Sequence, residues 1–214
     1  MSFVTDLLRS PARVLALCHD ETEQRRMVRT SLWVIFLGGL LFGAAAGSYR
    51  GFPQFGIAAL KLPIVTLLTL AVAGPAFYGI AAAVERPFQF RTTLTIILCA
   101  GARSSLVLIA VAPLLALAID FGAPYEFVRI GALLGYGLAG LSALSFIIRA
   151  LGEGAGRALG VLSFLLVFGV FGAQTAWLFR PYLGDPRDTD VPLFAHGRVE
   201  GGLLGALADG VSRR

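Results

Sequence analysis

Charge is scarce in this sequence. Of its 214 residues only 14% are Asp, Glu, Lys or Arg, against about 25% in an ordinary soluble domain. A water-soluble fold of this length could not cover its surface with so few charges, so that class is excluded. Cysteine is sparser still. Cys18 lies in the polar N-terminal segment and Cys99 in an apolar run, so no disulfide framework is expected. With only His19 and His196, a Cys- or His-rich metal site cannot be assembled. Cys18 and His19 are adjacent, lack metal-ligand or catalytic spacing, and read as surface residues near a membrane. The apolar runs carry no Asp or Glu in their interiors. Ion-coupled carriers usually need an acidic relay there, which counts against that function.

What the chain has instead is apolar length. Hydrophobic residues make up 57% and the mean hydropathy is +0.78, which also excludes disorder. A bilayer core about 30 Å thick needs about 20 apolar residues of helix. Charge-free runs give five such spans: Thr30–Tyr49, Leu62–Val84, Thr92–Ile119, Ile130–Ile148 and Ala158–Phe179, with Arg103 interrupting the third. Backbone groups in lipid must be satisfied internally, and these runs are too long for barrel strands, so the spans are helices. The expected fold is all-α, a polytopic integral membrane protein. The first run follows a polar segment and reads as a retained signal anchor rather than a cleaved leader.

The third span is too long for one upright helix, at about 42 Å. It is therefore expected to divide. An interfacial helix, Pro87–Cys99, would lie along the membrane surface, and a shorter span, Ser104–Phe121, would cross. Arg103 would then reach headgroups from the boundary. With the N-terminus inside, segments 1–29, 85–91 and 149–157 carry nine Lys or Arg, against three in 50–61 and 120–129. The positive-inside rule thus predicts a cytoplasmic N-terminus and an extracytoplasmic C-terminus. Three regions follow: a cytoplasmic amphipathic segment at 1–29, a five-helix bundle at 30–179, and an extracytoplasmic tail at 180–214. Phe3, Val4, Leu7, Leu8, Val14, Leu15 and Leu17 punctuate the N-terminal segment, which reads as an interfacial anchor with arginines facing anionic lipid. It lacks the aromatic interleaving of a nucleic-acid reader, so no nucleic acid is expected as a partner.

Glycine recurs every four residues at Gly39, Gly43 and Gly47, and again at Gly131 and Gly135. Such rows let helix backbones approach closely in lipid. They serve either packing within one bundle or a dimer face, and the former is preferred. Arg103 is the foremost site candidate, because an ionisable residue inside a membrane segment is costly and is functional by default. With Ser104 it forms a candidate contact for a ligand or lipid headgroup. A second candidate cluster, Gln174, Trp177, Arg180 and Tyr182, gathers where the last helix ends and would dock a partner or the tail. Ser104 and Ser105 have no histidine partner inside the membrane, so no catalytic residues are assigned. No metal site and no cofactor are assigned either.

Several short elements resemble known proteins. Phe88-Gln89-Phe90-Arg91-Thr92-Thr93-Leu94 before the third span is similar to the corresponding element of Yip1-type membrane proteins. Pro75-Ala76-Phe77-Tyr78, Tyr125-Glu126-Phe127, and the closing set Gln174, Trp177, Arg180, Pro181, Gly184 and Pro186 resemble a family of uncharacterised bacterial multi-pass membrane proteins. The resemblance implies a five-helix layout in a bacterial inner membrane, a role in membrane organisation, and no catalytic residues. The expected function is therefore a non-enzymatic scaffold or accessory subunit. Its partners would be membrane lipids and a membrane protein or a second copy. The alternative is a small transporter or channel subunit that uses Arg103 on an anionic ligand or headgroup.

Overall fold

The computed structural model describes residues 3–50, 54–83, 89–154 and 157–179. Every regular element among them is helical: α1 (Phe3–Arg9), α2 (Pro11–Leu17), α3 (Glu21–Gly47), a short 3-10 turn (Ser48–Arg50), α4 (Gln54–Ala83), α5 (Phe90–Asp120), α6 (Tyr125–Leu151) and α7 (Arg157–Phe179). Four helices, α3 to α6, are long and apolar enough to cross a membrane, so the chain is an integral membrane protein. The apolar helix α7 has 23 residues.

The helix ends follow local chemistry. Asp20 caps α3, its carboxylate accepting from the Thr22 backbone N–H at 2.9 Å and the Thr22 hydroxyl at 2.7 Å. Glu21 and Glu23 then place negative charge in the first turn, where the helix dipole favours it. Gly122 takes a positive φ of 75° in the turn that ends α5, and Pro124 stands at the N-cap of α6. The side chain of Arg129 reaches back one turn to Glu126 at 2.8 Å.

α3, α4 and α5 form the centre. Ser31 faces Cys99 and Gly38 faces Ser105, so α3 and α5 run parallel in register. Gly39 meets Pro63, Gly43 meets Ala58 and Gly47 meets Gln54, so α3 and α4 run antiparallel. At all three glycines a Cβ would collide with α4 backbone. This glycine row therefore serves packing within the bundle. Gly131 and Gly135 likewise face Leu115 and Val111 of α5. α6 leans on α5 and α7 on α4, as Phe77–Phe164 shows, while α6 and α7 touch each other little. Two apolar clusters fill the two ends. One joins α1, α2, the start of α3 and α5, and the end of α6; the other centres on Phe42, Leu108, Leu115 and Val128.

The structure corrects several expectations. The division of the third span is absent, since α5 is one helix of 31 residues, about 46 Å long. Its first half does not lie on a surface, because residues from Thr92 to Ala102 are nearly all buried. The threonines tolerate this by bonding within their own helix: Thr93 to the Gln89 carbonyl at 3.2 Å and Thr95 to the Arg91 carbonyl at 2.9 Å. The N-terminal segment is not a free surface anchor either. Leu7, Val14 and Cys18 are fully buried in the first cluster, so α1 and α2 cap the end of the bundle. Cys18 is thus a core residue, whereas His19 is exposed as expected. α3 also begins nine residues before the expected span, and those added turns carry its charged residues.

Candidate functional site

Arg103 projects from the middle of α5 toward α6. Its Nε donates to the Ser142 hydroxyl at 3.1 Å. Its Nη1 is buried and has no hydrogen-bond partner among the described residues. The parallel register of α3 and α5 puts Arg103 about level with Ile35. The antiparallel register of α5 and α6, set by Arg103–Ser142 and by Leu115 against Gly131, puts Arg149 about level with Arg29. Arg103 therefore lies roughly 10 Å deeper in the bundle than Arg29 and Arg149. Arg149 is exposed and near enough for its charge to act on Arg103.

Ser104 does not join this group through its proton. Its hydroxyl donates to the Gly101 carbonyl of its own helix at 2.8 Å. Adjacent residues on a helix point about 100° apart, and the residue that meets Arg103 is Ser142, 39 positions later. Ser142 went unnoticed in the sequence because serine is common in membrane helices. The available signal was spacing: Ser142, Ser145 and Arg149 recur at three, four and seven residues, on one face of α6.

A second polar joint ties α1–α2 to the bundle. Gln24 is buried and donates from Nε2 to the Cys18 carbonyl at 2.7 Å and to the Thr92 hydroxyl at 3.2 Å. Ser31 and Cys99 face each other at 3.7 Å between α3 and α5. Both cysteines are free thiols. A hydrogen bond with Cys99, then burial, pushes the Cys18 thiol well above its ordinary range. It stays protonated, which suits a packing role and not that of a nucleophile. Asp6 of α1 is also buried, with Oδ2 4.0 Å from Arg13.

The second candidate cluster is only partly within reach. Gln174 and Trp177 fall within α7, and Arg180 and Tyr182 lie outside the described residues. Lys61, just before the expected second span, lies seven residues inside α4 and is buried. No group of three or more His, Cys, Asp or Glu that could hold a metal ion occurs among the described residues. No family model, curated protein or solved structure matches the chain.

Proposed function

We propose that this chain is a non-enzymatic scaffold or accessory subunit of a bacterial inner membrane, crossing five times with its N-terminus in the cytoplasm. The fifth crossing is α7, whose 23 residues make about 35 Å of apolar helix. The excess of basic residues at the N-terminal end of the bundle supports the orientation. The resemblance of its short elements to Yip1-type proteins supports a role in membrane organisation.

The observation that carries the scaffold reading is the outer face of α6. In the most apolar stretch of α3 and of α5, 56% of residues are buried, against 28% in α6. Leu133, Leu134, Leu138 and Leu141 are exposed there. Between them Gly137 and Gly140 have open space where a Cβ would stand. In lipid, apolar area alone does not drive association; small residues that admit a second backbone do. This face therefore suits a helix of a partner or of a second copy. A photocrosslinking residue at Leu138 should give a discrete protein adduct in native membranes, and one at Leu37 of α3 should not. Lipid adducts alone at both positions would contradict the scaffold reading.

A further inference from the structure

Arg103 is electrostatically unfinished. A buried guanidinium N–H without a partner is costly, and native structures seldom leave one. The carboxylates of Asp6, Glu23 and Glu126 pair with Arg13, Arg26 and Arg129, so none of these three neutralises Arg103. Its charged neighbour is instead a second cation, Arg149. The Ser142 hydroxyl accepts from Arg103 and keeps its own proton to donate. Two cations and a hydroxyl donor thus lie near one another, and the charged group acting on Arg103 is a cation.

We propose that Arg103, Ser142 and Arg149 form a binding site for a phosphate group that enters between α5 and α6 from the N-terminal end of the bundle. The chemistry selects phosphate over carboxylate. A tetrahedral oxyanion offers one oxygen pair to a planar guanidinium and further oxygens to a hydroxyl and a second cation. Arg149, level with Arg29, stands where the helices reach the headgroup zone, and Arg103 draws the anion inward from there. The phosphate belongs either to a membrane lipid or to a soluble anion. The site is independent of the α6 outer face that carries the scaffold reading.

The test uses the full chain purified in maltoside micelles, which contain no phosphate. Phosphatidylglycerol and inorganic phosphate are titrated separately, and the rise in unfolding temperature reports binding. Wild type should be stabilised by at least one probe. Arg103→Gln and Arg149→Gln should each bind that probe about tenfold more weakly, the loss expected for one charge-assisted contact. Ser142→Ala keeps both cations and should weaken binding severalfold, so the test survives if Arg103→Gln does not fold. Arg129→Gln, at the opposite end, should match wild type. Stabilisation by phosphatidylglycerol alone identifies a lipid headgroup as the source, and stabilisation by inorganic phosphate alone identifies a soluble anion. A wild type that responds to neither probe, or Arg149→Gln and Ser142→Ala responding like wild type, would overturn the proposal.

Discussion

The two ends of the bundle are built in different ways. At the end away from the N-terminus, α3 and α4 meet backbone to backbone. Gly43 and Gly47 lie against Ala58 and Gln54, and small residues such as Ala45 and Ala46 fill the space. At the N-terminal end the helices are joined by side-chain chemistry: Gln24 spans Cys18 and Thr92, Ser31 meets Cys99, and Arg103 meets Ser142. A separate pair of short helices closes that end. Backbone contact has no tolerance for added volume, whereas hydrogen-bonded joints can be weakened one partner at a time. The first end therefore sets the geometry of the bundle, and the second is where the packing can adjust.

The largest expected effect tests the glycine seam. In Gly43→Ala the new methyl would meet the Ala58 carbonyl oxygen and the Ala59 Cα at 2.9 Å, both backbone atoms that cannot rotate away. A loss of about 3 kcal/mol or more is expected, at the upper end of overpacking, read as a fall in unfolding temperature and in monodisperse yield. Gly79→Ala has open space around it and should be neutral or stabilising by about 0.5 kcal/mol. Equal behaviour of the two variants would erase the contrast between rigid and open positions.

A smaller effect is expected at the cap. Gln24→Ala removes the donor to both Cys18 and Thr92 and should cost about 1–2 kcal/mol of docking. Hydrogen exchange in α1 and α2 should quicken while α4 stays protected. Uniform quickening across the bundle would mean that the cap is not a separate unit.

Much of this was legible in the sequence, for reasons that differ by residue. Arg29, Glu85, Arg129 and Arg149 mark where apolar runs stop, so charge located the apolar part of each helix, although α3 and α4 begin well before theirs, at Glu21 and Gln54. The glycine rows were legible too, because only close approach gives such spacing a use in lipid. The continuity of α5 was not. Its length and the position of Arg103 argued for a break, and the sequence does not show that the residues from Thr92 to Ala102 are nearly all buried by neighbouring helices. Leu7, Val14 and Cys18 look like an amphipathic surface strip until the ends of α5 and α6 are seen to enclose them. The Arg103–Ser142 pair depends on which two helices are neighbours, and spacing within one helix cannot reveal that.

The smallest expected effect concerns the start of α3. Hydrogen bonds from the Thr22 hydroxyl and backbone N–H hold the Asp20 carboxylate below its ordinary pKa. A depressed folded-state pKa means that the cap contributes fully above about pH 4 and is lost as pH falls through the lower folded value. Protection of the first turn of α3, taken against the free-peptide exchange rate at the same pH, should fall below pH 4 in wild type, and Asp20→Ala should show that low protection at every pH. A first turn equally protected at pH 3 and pH 7 would contradict the role of the cap.

The proposed orientation puts the two ends on opposite sides of a membrane, with the capped end in the cytoplasm. Cys18 and Cys99 are buried, so added cysteines can be read against a low background. Arg9→Cys places an exposed thiol on α1, and Phe121→Cys places one in the turn at the other end, where Phe121 is 81% exposed. On intact cells with a permeable outer envelope, a membrane-impermeant maleimide should label Phe121→Cys at once and Arg9→Cys only after the inner membrane is opened. Labelling of both from the outside, or of Arg9→Cys alone, would contradict the account.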